Sequence, residues 1–380
     1  MSAVRCDIKR SRLNASRLSA ARLEGLGRHP VFENLLDQLA DARPVLPDHS
    51  PVFGIGIHQQ SIELRLLVDA AAMLAHQIEQ ETLQLVIRRI GGIDHHGQPR
   101  LDLAQPLRDA DFSAVLAALG RYGVLCFKNQ SISPQNLRDF SARFGGLQRG
   151  VSGIHEPGFP EVSVLSNVVE NGKMIGLPDA GQDWHTDMSY NDTIGFVNVL
   201  HAIKVPHRNG RPLGDTLFAN MHAAYEGLAP AMKSQLANYT ATHDFNKFWE
   251  GMVNRPGSIR KPLTPEQRAK RPPSVHPVFL THPITGRKVL YCNPGYVIRI
   301  NEVSEAESER LLTLLFEHQL QPAYRYRHSW SVGDVLIWDH IGTLHNALPD
   351  YEPHEHRLMK RCQVLADRIF DPAFLAHGAY

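Results

Sequence analysis

Within Trp184-His185-Thr186-Asp187 an imidazole and a carboxylate stand two residues apart, and a further histidine, His345, lies far downstream. Two imidazoles and one carboxylate can fill one face of an octahedral metal, leaving the other positions for a chelating co-substrate and O₂, as in non-haem Fe(II) oxygenases. A His-x-Asp pair on a strand end supplies two ligands locally; the third must come from elsewhere in the fold. With 21 His and 39 acidic residues in 380, roughly two His-x-acid triplets arise by chance. His185-Thr186-Asp187 is the one such triplet in the chain, and on its own it reads equally as a surface hydrogen bond.

The elements that must position these residues lie downstream. Tyr324 to Asp334 followed by Val335-Leu-Ile-Trp338 reads as a strand, a Gly-Asp turn and a buried apolar strand, which delivers Asp339, His340 and His345. Arg357 and Arg361 follow, four residues apart, a spacing that puts both side chains on one face of a strand. Arginine holds a carboxylate through two parallel hydrogen bonds and stays charged at any working pH. Two of them beside a metal ligand point to two anions in one pocket.

From about Asp102 to Asp371 the chain resembles the taurine dioxygenase and 2,4-dichlorophenoxyacetate dioxygenase family of Fe(II)/2-oxoglutarate oxygenases. The resemblance rests on Gly123-Val-Leu-Cys-Phe127, Phe144-Gly-Gly-Leu147, Trp184-His-Thr-Asp187, Gly214-Asp-Thr216, Ala223-Ala-Tyr225, Trp338-Asp339, His345, Arg357 and Arg361, in order. It implies a facial triad of His185, Asp187 and His345 on Fe(II). It also implies that Thr216 and Arg357 hold the far carboxylate of 2-oxoglutarate, and that Arg361 meets the anionic group of the prime substrate. The activity implied is hydroxylation with O₂, releasing succinate and CO₂, with the metal and keto acid carrying the chemistry. Tyr190 falls where the taurine enzymes line the substrate side, and Lys173 aligns with a lysine near the substrate entrance of the phenoxyacetate enzymes. The substrate-contacting histidine of taurine dioxygenases falls near Gly150, a departure that argues against taurine. A small anionic substrate, carboxylate-bearing and aryloxyalkanoate-like, is therefore expected, with a taurine or alkylsulfonate dioxygenase as the alternative. A non-catalytic jelly-roll sensor is the reading from another class.

Each residue also has a plainer reading. Thr216 is an ordinary turn residue if isolated, and His354-Glu-His-Arg-Leu-Met-Lys-Arg361 is a solvated edge. His354 and His356 read as loop residues, Trp184 and Trp338 as core packing, and His155, His222 and His243 as structural histidines. Lys173 reads as a solvent-facing loop lysine. Joint occurrence in order is what favours the site.

Strand-rich runs at Gly195 to Leu200, Val289 to Cys292 and Val335 to Trp338 alternate with turns. Helices are expected at Phe112 to Tyr122, Pro134 to Phe144, Tyr225 to Ala237 and Glu305 to Gln319. A mainly β chain with peripheral helices fits a double-stranded β-helix, the cupin-like jelly roll. The domain expected is 86–380, with a proline-rich lid or insert at about 242–277 in which Phe245-Asn-Lys-Phe-Trp249 begins a helix. Between Arg260 and Arg271 five basic residues stand against one acid, a charge that could draw in an anion.

Residues 1–85 read as an extension, with proline-broken linker from Pro44 to Phe53 and a helix from Ile62 to Arg88. The first 22 residues carry six basic groups against Asp7, a transit-peptide-like composition that reads better as a basic tail. A net charge of +1 gives no case for nucleic acid, and no apolar run is long enough to span a membrane. Cys6, Cys126, Cys292 and Cys362 lack paired spacing, which favours free thiols and a cytoplasmic, reducing compartment. The remaining partner expected is another copy of the chain, in a dimer or tetramer.

Overall fold

The computed structural model describes residues 101–150, 154–255, 258 and 260–377. The expected tail, linker and Ile62–Arg88 helix, and Cys6, lie outside the described residues. Two antiparallel sheets form the centre. The larger has six strands in the order Val124–Phe127, Val335–Asp339, Gly195–Lys204, Leu358–Leu365, Phe159–Ser166 and His155–Glu156. The smaller has three, Arg325–His328, Thr216–Asn220 and Thr343–Ala347.

Strand periodicity decides what each sheet buries. Val124, Cys126, Leu200, Leu336, Trp338 and Met359 turn inward and share an apolar cluster with Phe218 of the small sheet. Their alternates Leu125, Phe127, Val199, Ile337, Cys362 and Val364 pack on the opposite face with Phe112, Leu116, Leu119, Leu137 and Phe140. Strands covered on both faces read as continuous apolar runs, which is why Val124–Phe127 and Val335–Asp339 were conspicuous in the sequence.

The helix Asp109–Tyr122 buries Phe112, Val115, Leu116 and Leu119, one helical stripe. Gly123 ends it in the left-handed region, at φ +73°, and donates its N–H to the Leu119 carbonyl. Pro134–Ala142 starts with a reciprocal Ser133/Asn136 capping box. Glu305–Gln319 matches its expectation. Tyr225 to Ala237 does not form one helix: Met221–Gly227 ends, Leu228 is extended, and Pro230–Leu236 begins again. Pro230 lacks an N–H and is suited to a helix's first turn rather than its interior.

The 242–277 region is also more regular than its prolines suggested. It holds the helices Phe245–Val253 and Pro265–Ala269, and the strand Ser274–Pro277 pairs with Thr240–His243. The prolines fall at turns and helix starts; Thr264 caps the second helix with Pro265 at its first position. Cys126, Cys292 and Cys362 are buried free thiols. Among the described residues no helix is long and apolar enough to cross a membrane.

Candidate metal and co-substrate site

The His185-Thr186-Asp187 segment is not a strand end as expected. It is a single bridge residue followed by a turn. His185 donates its backbone N–H to the His345 carbonyl (3.1 Å) and accepts from the His345 N–H (2.8 Å), which adds the segment to the edge of the small sheet. The chain turns just after Asp187, with Met188 at φ +61°. Thr186 points the other way and donates its hydroxyl to the His340 carbonyl at 2.6 Å. The alternation leaves His185 and Asp187 together.

The side chains of His185, Asp187 and His345 converge, their ligand atoms all lying within 4.8 Å of one another. His185 Nε2 stands 3.3 Å from Asp187 Oδ1, and His345 Nε2 3.8 Å from Asp187 Oδ2. His185 Nδ1 lies 2.7 Å from the Asp183 carbonyl, which can only accept, so Nδ1 carries a proton and Nε2 is the nitrogen turned to the carboxylate. An imidazole nitrogen and a carboxylate oxygen at that distance are bridged by a proton or by a metal cation.

The electrostatics suit a cation. Burial opposes ionisation of Asp187, but the neighbouring His185 and Arg361 outweigh it and hold the carboxyl well below the usual range. Burial, then His185, pushes the His345 imidazole well below its ordinary value, so it stays neutral as a ligand must. Asn198 Nδ2 donates to Asp187 Oδ2 at 3.3 Å, and His340 Nε2 lies 3.9 Å from the same oxygen. Asn198 was missed in the sequence, and His340 was named there without a role. Asn198 could have been found from the inward parity it shares with Leu200 in Gly195–Lys204.

Arg361, within the Leu358–Leu365 strand, and Arg357, just before it, share the parity of inward-facing Met359. Arg361 Nη1 lies 3.6 Å from Asp187 Oδ2. Arg357 is buried and forms no ion pair within the described residues; burial lowers its pKa, and Tyr351 partly offsets that. Its side chain lies against Gly214, where a Cβ would come 3.1 Å from Nε. Thr216, two residues on, is buried and accepts from Trp330 Nε1 at 3.1 Å. Buried atoms without hydrogen-bond partners recur around this space: His345 Nδ1, His340 Nε2, Asn198 Oδ1, Trp338 Nε1 and the Nε of both arginines. Folded proteins rarely leave so many in one place without a ligand to meet them. The donor set, its charge state and these orphan atoms fit Fe(II) with a dicarboxylate co-substrate.

Tyr190 joins this region through tilted and edge-on ring contacts. Its ring is 4.8 Å from Tyr296 and 4.9 Å from Phe245, and Tyr296 stands 6.0 Å from His185. Burial and nearby Asp187 push its hydroxyl up to about 12, so it is a neutral donor. Lys173 is elsewhere in character. It is exposed beside the Asn171-Gly172 turn of a hairpin, and among the described residues it forms no hydrogen bond or ion pair with the triad. Trp338 is both core and site wall, 5.1 Å from His345. His155, His222 and His243 each have a hydrogen-bond partner through Nδ1, while His354 and His356 are exposed loop residues. Of the basic run, Arg260 pairs with Asp179 and Arg268 with Glu250, while Arg271 lies over Phe245.

A second buried trio, Cys126, His328 and Asp334, has metal-like spacing. There Lys128 Nζ already stands 2.8 Å from Asp334 Oδ2, so an ammonium supplies the cation.

Comparison with known proteins agrees with this geometry. Residues 87–363 match the family described as Taurine catabolism dioxygenase TauD, TfdA family. Pentalenolactone F synthase of Streptomyces arenae is 32% identical, over 68% of this chain and 87% of its own. Alpha-ketoglutarate-dependent 2,4-dichlorophenoxyacetate dioxygenase of Cupriavidus pinatubonensis is 28% identical, over 72% of this chain and 95% of its own. A solved structure of AAD-2 in complex with Mn(II) and N-oxalylglycine superposes with a TM-score of 0.57 at 28% identity, covering 70% of this chain and 91% of that one. The chain belongs to the TauD/TfdA dioxygenase family.

Proposed function

We propose that this protein is an Fe(II)- and 2-oxoglutarate-dependent dioxygenase that hydroxylates a small anionic, carboxylate-bearing substrate, aryloxyalkanoate-like in form, releasing succinate and CO₂. The observation that carries the reading is the pair of arginines on one face at the start of the Leu358–Leu365 strand: Arg357 buried and in no ion pair among the described residues, Arg361 beside Asp187. The iron, when bound with 2-oxoglutarate, activates O₂ for attack on a C–H bond. The chain does the holding. His185, Asp187 and His345 bind the metal, and Asn198 steadies the Asp187 carboxylate. Arg357 and the Thr216 hydroxyl take the distal carboxylate of the keto acid, with Trp330 fixing that hydroxyl. Arg361 takes the substrate's anion, and Tyr190 with Tyr296 walls that side and excludes water.

The two sheets fit the double-stranded β-helix reading, with the site between them at the His185–His345 bridge. A taurine dioxygenase is the weaker reading because Gly150 stands where its histidine is expected. A Cβ there would come 2.7 Å from Ser163 Oγ. A non-catalytic sensor has no need of the whole donor set. Other copies of the chain and a cytoplasmic setting remain part of the proposal.

The test is a succinate-release screen over aryloxyalkanoates, other carboxylates, sulfonates and sulfate esters with Fe(II), 2-oxoglutarate and O₂. Release coupled to a carboxylate supports the assignment; release coupled only to sulfonates replaces the substrate class. Folded protein that shows no visible charge-transfer band with anaerobic Fe(II) and 2-oxoglutarate would sink the enzyme reading.

A further inference from the structure

The Phe245–Val253 helix and the arginines after it touch the metal site from outside, and one of these contacts reaches a metal ligand through its backbone support. Asp183, two residues before His185, is held at φ +68°, a region uncommon for non-glycine residues although aspartate tolerates it better than most. That conformation turns its carbonyl onto His185 Nδ1 at 2.7 Å. Arg255 grips the same turn. One Nη donates to Gln182 Oε1 at 2.7 Å, and the other reaches the Gln182 carbonyl at 3.3 Å and forms an ion pair with the Asp183 carboxylate. The helix before it also lays the Phe248 ring 4.8 Å from the His185 imidazole.

We propose that Arg255 is a positioning residue for the metal ligand His185, acting through the backbone of Asp183. The inference rests on the iron-site reading above. A carbonyl bound to the far nitrogen of a ligating imidazole sets its tautomer and the plane of its ring. A backbone held in a sparsely populated region keeps it only while its surroundings insist on it. The planar guanidinium, with donors on separate nitrogens, engages two successive residues of the turn at once, which a lysine's point charge cannot reproduce. Without Arg255 the turn relaxes, the carbonyl swings, and Nε2 is no longer presented as a fixed lone pair. Arg260 straps the same region to Asp179 at 2.5 Å and stacks on Trp249, and among the described residues it forms no hydrogen bond or ion pair with the 182–183 turn. It is the built-in control for a purely structural role.

The experiment is anaerobic titration of metal-free, full-length protein with Co²⁺, read by its visible absorption and by calorimetry, with thermal melts recorded alongside. Arg255→Gln is expected to weaken Co²⁺ binding by about 10–100-fold and to alter the cobalt spectrum, with Arg255→Lys recovering only part. Arg260→Gln is expected to lower the melting temperature and leave Co²⁺ affinity unchanged. If Arg255→Gln does not fold, Asp183→Asn breaks the same ion pair while keeping the turn's preference, and it should shift affinity in the same direction. Wild-type affinity and spectrum in folded Arg255→Gln, or equal metal loss in Arg260→Gln, overturn the proposal. Wild-type protein that binds no Co²⁺ overturns the iron site itself, a failure distinguishable from the first.

Discussion

His185 and His345 bond to each other through their backbones in both directions, and their rings stand 4.2 Å apart between centroids. Two ligands far apart in sequence are therefore fixed by the sheet ladder rather than by long side chains. The third, Asp187, follows His185 by one turn-forming step. Any change that slips this bridge moves both imidazoles at once.

Removing a ligand should abolish turnover rather than slow it. His185→Ala, Asp187→Ala or His345→Ala is expected to eliminate succinate formation and Fe(II) binding while the protein still folds, checked by coupled assay, metal analysis and circular dichroism. Full turnover in any of the three refutes the triad.

The two arginines should separate by ligand. Each charged hydrogen bond is worth about 1.5–3 kcal/mol, so losing a fork should cost roughly tenfold or more in affinity. Arg357→Lys is expected to raise KM for 2-oxoglutarate, and Arg361→Lys that for the prime substrate. Equal effects of both variants on both ligands would undo the division of roles.

Gly295 is a site residue that no chemistry marks. A Cβ there would meet His185 Cβ at 2.7 Å, with the Trp184 carbonyl and the Phe248 ring close behind. Gly295→Ala should destabilise the fold by about 1–3 kcal/mol, the usual range for overpacking, and weaken metal binding through His185. A melt and a metal titration that both match wild type would show that the neighbours give way freely.

Asp339 ties stability to acid pH. Its buried carboxylate accepts from the Ile341 and Gly342 N–H groups (2.8 and 2.7 Å) and faces His282 Nε2 at 2.8 Å, shaping the turn into Thr343–Ala347. Burial works against its ionisation, but His282 and those donors win, so its pKa is lowered. A folded pKa below the unfolded value of about 3.9 gives stability that is present above that value and lost as pH falls through the folded one. Asp339→Asn should cost about 3–5 kcal/mol near neutrality, as for a broken buried pair, with the gap to wild type closing in acid. Parallel stability curves for the two proteins from neutral pH down to acid would contradict this.

The buried strands and the helix Glu305–Gln319 were legible because an all-apolar run and a helical stripe each report burial directly. The reading over Tyr225 to Ala237 failed where Pro230 restarted a helix; in the 242–277 region the helix beginning at Phe245 was legible, but Pro265–Ala269 and Ser274–Pro277 were not, because their prolines mark boundaries that composition cannot tell from loops. The sequence by itself determined the donor types: His185, Asp187 and His345 for a metal, Arg357 and Arg361 for anions on one strand face. Only the tertiary structure decided that Asn198, His340, Asp183 and Gly295 attend them. The physical reason is that a ligand's identity is written in its own side chain. Its orientation is written in hydrogen bonds and close contacts from segments that meet it only when the sheets pair.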